Sequence, residues 1–116
     1  MIGGHVTKTG LGPVLIDLME RGIVTHVATN GSTVIHDYEM ARFGGTSEDV
    51  EAGLGDGTFG MAEETGREMN DAARAGAANG WGLGESFARA LGSRGDLAHP
   101  ELSMLLAARR LGVGFT

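Results

Sequence analysis

Cysteine is absent from this chain, which excludes a disulfide framework and thiolate chemistry together. Aromatic residues are scarce at 5%, so any core has to be built from Leu, Val, Ile, Met and Ala. Basic residues are few and scattered: nine Lys and Arg stand against fifteen Asp and Glu, for a net charge of −6. The only adjacent basic pair is Arg109-Arg110, so the basic face that a nucleic-acid binder needs is missing. No apolar run approaches the ~20 residues that cross a bilayer. The N-terminus lacks a basic region followed by an apolar one, so no secretion signal is expected and a cytoplasmic protein is.

What is abundant is glycine, 21 of 116 residues. The glycines lie singly or in pairs where elements should end, which reads as turn and cap chemistry. With 41% hydrophobic residues the chain can form a core, and its length allows one small domain, residues 1–116.

Residues 1–6 read as a brief strand broken at Thr9-Gly10. A helix follows, with Pro13 in its first turn. Leu11, Val14, Leu15, Leu18 and Met19 fall on one stripe of it, and Gly22 ends it. Residues 24–29 form a second strand and residues 32–42 a second helix, with Val34, Ile35, Tyr38 and Ala41 inward. Thr46 with Asp49 resembles a capping box that starts a short helix ending in Gly53-Leu54-Gly55-Asp56-Gly57. Helices are expected over residues 60–75 and 84–91. A last one opens at His99-Pro100, is buried through Leu102, Leu105, Leu106 and Leu111, and is capped by Gly112. Residues 113–116 begin like a strand.

Strands alternating with helices across short glycine connections predict an α/β fold, a parallel sheet with crossover helices. About three strands against five helices, strand-like at both ends, look like part of a larger α/β protein or a protomer completed by association.

The segment that invites function is Thr29-Asn30-Gly31-Ser32-Thr33-Val34-Ile35-His36-Asp37, at the passage from strand to helix. Glycine with small polar neighbours there lets backbone N–H groups approach an anionic or ribose-bearing ligand at a helix N-terminus. Open α/β sheets bind ligands outside the carboxyl ends of their strands, and His36 and Asp37 follow about one turn on. The plainer alternatives are an ordinary strand-to-helix turn and a first-turn Asp favoured by the helix dipole. No Gly-x-Gly-x-x-Gly fingerprint is present. His5, His36, His99 and Asp37 lack the spacing of common zinc sites, so no metal is expected. Glu63 and Glu64 point about 100° apart and belong to a solvated face.

Gly3-Gly4-His5 through Gly10-Leu11, then Val27-Ala28-Thr29-Asn30-Gly31 and Ile35-His36-Asp37, resemble the NAD-binding start of the deoxyhypusine synthase family. The archaeal-type strand end reads Thr-Thr-Gly-Ala-Asn-Leu-Val-His-Asp. Thr29, Gly31, His36 and Asp37 coincide with it, while Asn30 replaces a threonine and Thr33 an asparagine. The Gly4 to Gly10-Leu11 spacing is similar to the segment that closes over the cofactor. The stretches Thr46-Ser47-Glu48-Asp49-Val50 and Gly57 through Gly66 resemble bacterial deoxyhypusine-synthase-like proteins, and His36-Asp37-x-Glu39 resembles an NAD-dependent ornithine cyclodeaminase domain.

The resemblance implies a Rossmann-like NAD-binding domain, with Gly4, His5, Thr9, Thr29, Asn30, Gly31, His36 and Asp37 at the cofactor. It implies an amine or amino-acid substrate with transient hydride transfer to NAD, and a homo-oligomer. The family's catalytic lysine lies in a C-terminal half that this chain does not match, since Lys8 is its only lysine. From another class, the alternative is a non-catalytic assembly or interaction module that retains the fold.

Overall fold

The computed structural model describes residues 1–46 and 63–116. Of the expected capping box, Thr46 is the last described residue of the first segment, while Asp49 and the short helix it would start lie outside the described residues. Helices dominate, arranged about a two-stranded parallel sheet, a small α/β arrangement. Among the described residues no helix is long and apolar enough to cross a membrane.

The N-terminal segment forms a short helix, α1 (His5–Lys8), where the sequence suggested a strand. Between Gly4 and Gly10 the chain closes on itself, the Thr9 N–H and hydroxyl both donating to the His5 carbonyl. Gly10 then turns it away at φ 75°. One sheet-like bond survives, from the Ile2 N–H to the Ala28 carbonyl at 2.9 Å. The strand expected over residues 1–6 is therefore corrected.

Helix α2 (Gly12–Glu20) carries Pro13 in its first turn and stops at Gly22, φ 70°. Its buried face is Gly12, Ile16 and Met19, turned from the expected stripe, which leaves Leu11 and Val14 exposed. Gly12 sets this rotation. A Cβ there would already lie 3.3 Å from the Leu102 carbonyl, so the helix approaches its neighbour through its glycine side.

The sheet pairs β1 (His26–Val27) with β2 (Gly114–Phe115), in parallel, His26 opposite Gly114 and Val27 opposite Phe115. Bonds from Thr116 N–H to the Val27 carbonyl (2.9 Å) and from Thr29 N–H to the Thr116 carbonyl (2.7 Å) extend it. Parallel strands require a long crossover, and here the intervening helices supply it.

Helix α3 (Gly31–Phe43) is central. The Asn30 side chain caps it by accepting the Thr33 N–H at 3.1 Å, and Gly44 ends it at φ 78°. Thr33, Val34, His36, Asp37, Tyr38, Glu39 and Ala41 are all buried, so neighbours cover it on nearly every side. Helices α4 (Glu63–Asn79) and α5 (Leu83–Gly92) pack on one another, and α5 packs on α6 (Met104–Leu111), which also holds α2. The expected last helix is split: Pro100–Leu102 forms a 3-10 turn, and α6 starts afresh behind Ser103, whose hydroxyl accepts the Leu106 N–H at 3.1 Å.

Val34, Tyr38, Met69, Phe87, Leu91 and Leu105 make one apolar cluster, and Ile16, Met19, Val27 and Met104 another. Phe115 packs against both. Outside the clusters, Glu68 accepts the Tyr38 hydroxyl at 3.0 Å and pairs with Arg42 (3.3 Å) and Arg94 (3.1 Å), tying α3 to α4. Burial pushes the Glu68 carboxyl up, but its bonds with Arg42 and Tyr38 and the neighbouring Arg charges leave it below the usual range. Burial and Glu68 together raise the Tyr38 hydroxyl to about 12.

Candidate functional site

At the carboxyl ends of β1 and β2 the chain opens into a cleft of about 410 Å³. Its floor is Thr29, Asn30 and Gly31, at the start of α3. Val34 and Ile35 continue that wall, Met69 and Ala73 of α4 face them, and Leu83 and Phe87 of α5 with Phe115 complete it. A first helical turn carries N–H groups without intrahelical acceptors. Asn30 takes the Thr33 N–H and also its hydroxyl, both at 3.1 Å, and Gly31, the first residue of that turn, lines the cleft.

Among the described residues, no lining side chain is ionisable; polarity comes from Thr29, Asn30, Asn70 and Thr116. The Thr29 hydroxyl donates to the Ile2 carbonyl at 3.3 Å, which anchors the N-terminal segment beside the site. Gly31 does not have a positive φ, and a Cβ built on it meets nothing within 4 Å. Glycine there leaves open space next to the helix end rather than serving an unusual backbone conformation.

Of the eight residues expected at one crevice, the structure brings together Thr29, Asn30 and Gly31. The other five lie elsewhere, which corrects the expectation of a single crevice. Gly4 lies under α3, where a Cβ would run into the Ser32 hydroxyl and come within 3.3 Å of the His36 ring. His36 is thus buried between α1 and α3. His5 is exposed, and Thr9 is exposed at the end of α1.

Asp37, next on the helix and about 100° around it, points at α6. Its carboxylate accepts the Ser103 hydroxyl at 2.7 Å, the Met104 N–H at 2.7 Å and the Leu105 N–H at 3.2 Å. It is a buried cap on the helix N-terminus, favoured there by the dipole. Burial pushes its carboxyl up to about 6, against the opposing pull of those three bonds. Its role in the fold is therefore structural.

Sequence reasoning missed the far walls of the cleft, from α4, α5 and Phe115. Two signals pointed that way: Gly82-Leu83-Gly84 brackets a large apolar residue with glycines, and Phe115 is an aromatic in a chain with few. Among the described residues, no three His, Asp or Glu come together as a metal-binding group. No family model, curated protein or solved structure matches this chain.

Proposed function

We propose that this chain is a Rossmann-like, NAD-binding module of the deoxyhypusine synthase-like type. The observation that carries the reading is the cleft itself, outside the carboxyl ends of two parallel strands and against the first turn of α3. Its volume of about 410 Å³ lies within the range of small-molecule sites. Apolar walls from Val34, Ile35, Met69 and Phe87 suit a heterocyclic base, and the helix N-terminus suits a phosphate. With no acidic residue among the described lining residues, ribose hydroxyls would meet Thr29, Asn30 or Asn70. NAD bound there would supply hydride transfer to and from an amine or amino-acid substrate. The site acts in a cytoplasmic homo-oligomer.

A second reading, the interaction module, is favoured by one observation: Leu11 and Val14 on α2 and Ile23 just beyond it are 49%, 56% and 67% exposed. Retained cofactor binding separates the two. NAD at tenfold excess over its Kd stabilises a protein that binds it by about 1.4 kcal/mol, several degrees in Tm for a domain of this size. The matching variant is Gly31→Val, whose side chain projects into open space. The fold should persist by circular dichroism while the NAD-dependent shift disappears. A flat response of the natural sequence at millimolar NAD supports the interaction module. An unchanged response in folded Gly31→Val places the nucleotide elsewhere.

A further inference from the structure

A second cleft of about 380 Å³ adjoins the first across Gly84, Phe115 and Thr116. Glu85 and Ala88 of α5, Leu105 and Arg109 of α6, and His26 of β1 are among its lining residues. Its charges are unequal in their company. The Glu85 carboxylate is held by both the Nε and an Nη of Arg89, at 2.9 and 2.7 Å, so its charge is answered within α5. Arg89 in turn lies 4.2 Å over the Trp81 ring and is fixed there.

Arg109 stands differently. Each other arginine has a carboxylate partner: Arg21 with Asp17, Arg42 with Glu68, Arg67 with Glu63. The same holds for Arg74 with Asp71, Arg94 with Asp96 and Arg110 with Glu20. Among the described residues Arg109 has none, although the chain carries fifteen acidic residues and a net charge of −6. In a surface so rich in carboxylates, an arginine left unpaired at a concave site is a place where the missing anion can come from solution. The His26 Nε2 sits 3.1 Å from the Thr116 hydroxyl, so the lining that includes Arg109 also holds an imidazole and a hydroxyl together. Glycines and alanines around them keep the volume free, and Leu105 and Phe115 make it partly apolar.

We infer that this second cleft binds a small oxyanion, a carboxylate or phosphate group carried on a compact organic body, with Arg109 as its principal partner. The planar guanidinium fork fits either oxyanion in a bidentate manner. The inference does not depend on NAD occupying the neighbouring cleft.

The test is an NMR titration of the 15N-labelled chain with sodium succinate and, separately, sodium phosphate, at ionic strength held constant with sodium chloride. The expected result is saturable shifts of the Gly112, Gly114 and Thr116 amides and of the Arg109 Nε–H. Saturation by succinate alone assigns a carboxylate ligand, by phosphate alone a phosphoryl ligand, and by both the shared oxyanion chemistry. Arg109→Met, at an exposed position, should keep the remaining spectrum and weaken binding about 10- to 100-fold. Arg109→Lys, which keeps the charge and loses the fork, should fall between. Gly31→Val should leave oxyanion affinity unchanged, so loss of nucleotide binding and loss of oxyanion binding read out separately. Shifts that never saturate, or that saturate equally in Arg109→Met, overturn the assignment.

Discussion

Asp37 shows how far a residue's role depends on what it meets. Its side chain is 1% exposed and accepts three hydrogen bonds at the start of α6. Asp37→Ala would leave the Ser103 hydroxyl and two backbone N–H groups buried without acceptors, a loss of about 3 kcal/mol or more in urea unfolding. The pH dependence follows from a carboxyl raised from 3.8 to about 6 by burial. The folded state holds the proton more tightly than the unfolded chain, so protonation favours the fold. That contribution is complete below about pH 4 and is lost as pH rises through about 6, a swing of about 3 kcal/mol. Asp37→Asn does not titrate. The stability of the natural sequence relative to Asp37→Asn should therefore fall between pH 4 and 7, and a difference that stays level or grows over that window contradicts the account.

At the scale of elements, glycine decides how closely helices approach the sheet and each other. A Cβ on Gly84 would run into the Phe115 carbonyl of β2, and one on Gly76 of α4 into the Ser86 hydroxyl of α5. Gly84→Ala must push α5 away from backbone that cannot yield. The expected cost is about 1–3 kcal/mol by chemical denaturation. Gly31→Ala is the control, since its new methyl meets open space, and stability should stay within about 0.5 kcal/mol of the natural sequence. Equal effects of the two substitutions would mean that α5 and β2 do not touch as described. Helix α2 shows the converse: with Gly12 inward, its apolar arc is wider than the core can cover.

For the whole molecule, that uncovered arc bears on association. Leu11, Val14 and Ile23 present apolar surface at the two ends and the first turn of α2. The charges near it are matched, Asp17 with Arg21 at 2.8 Å and Glu20 with Arg110 at 2.7 Å. The net charge of −6 therefore opposes self-association less here than elsewhere. Exposed apolar surface favours association, so sedimentation of the purified chain should show a dimer or larger assembly. Leu11→Glu with Val14→Glu should shift it toward monomer. A stable 12.0 kDa monomer of the natural sequence would count against the homo-oligomer.

Local chemistry alone determined much of the scaffold. Asn30 before α3, Gly112 after α6, Pro13 in the first turn of α2 and the glycines at 10, 22 and 44 act within a few residues of themselves, and they stop or start elements where the sequence places them. Thr29-Asn30-Gly31 as the floor of a cleft was legible for the same reason, being a property of one strand end and the helix after it. Tertiary structure decided the rest. Val27 pairs with Phe115 rather than with the N-terminal segment, because that segment satisfies its own backbone as α1. His36 and Asp37 leave the cleft because the backbone they lie against, at Gly4 and at the start of α6, is far along the chain in opposite directions. Periodicity fixes which residues share a face of a helix, but which face is buried depends on where a neighbour can come closest, and at α2 the bare backbone of Gly12 settled it.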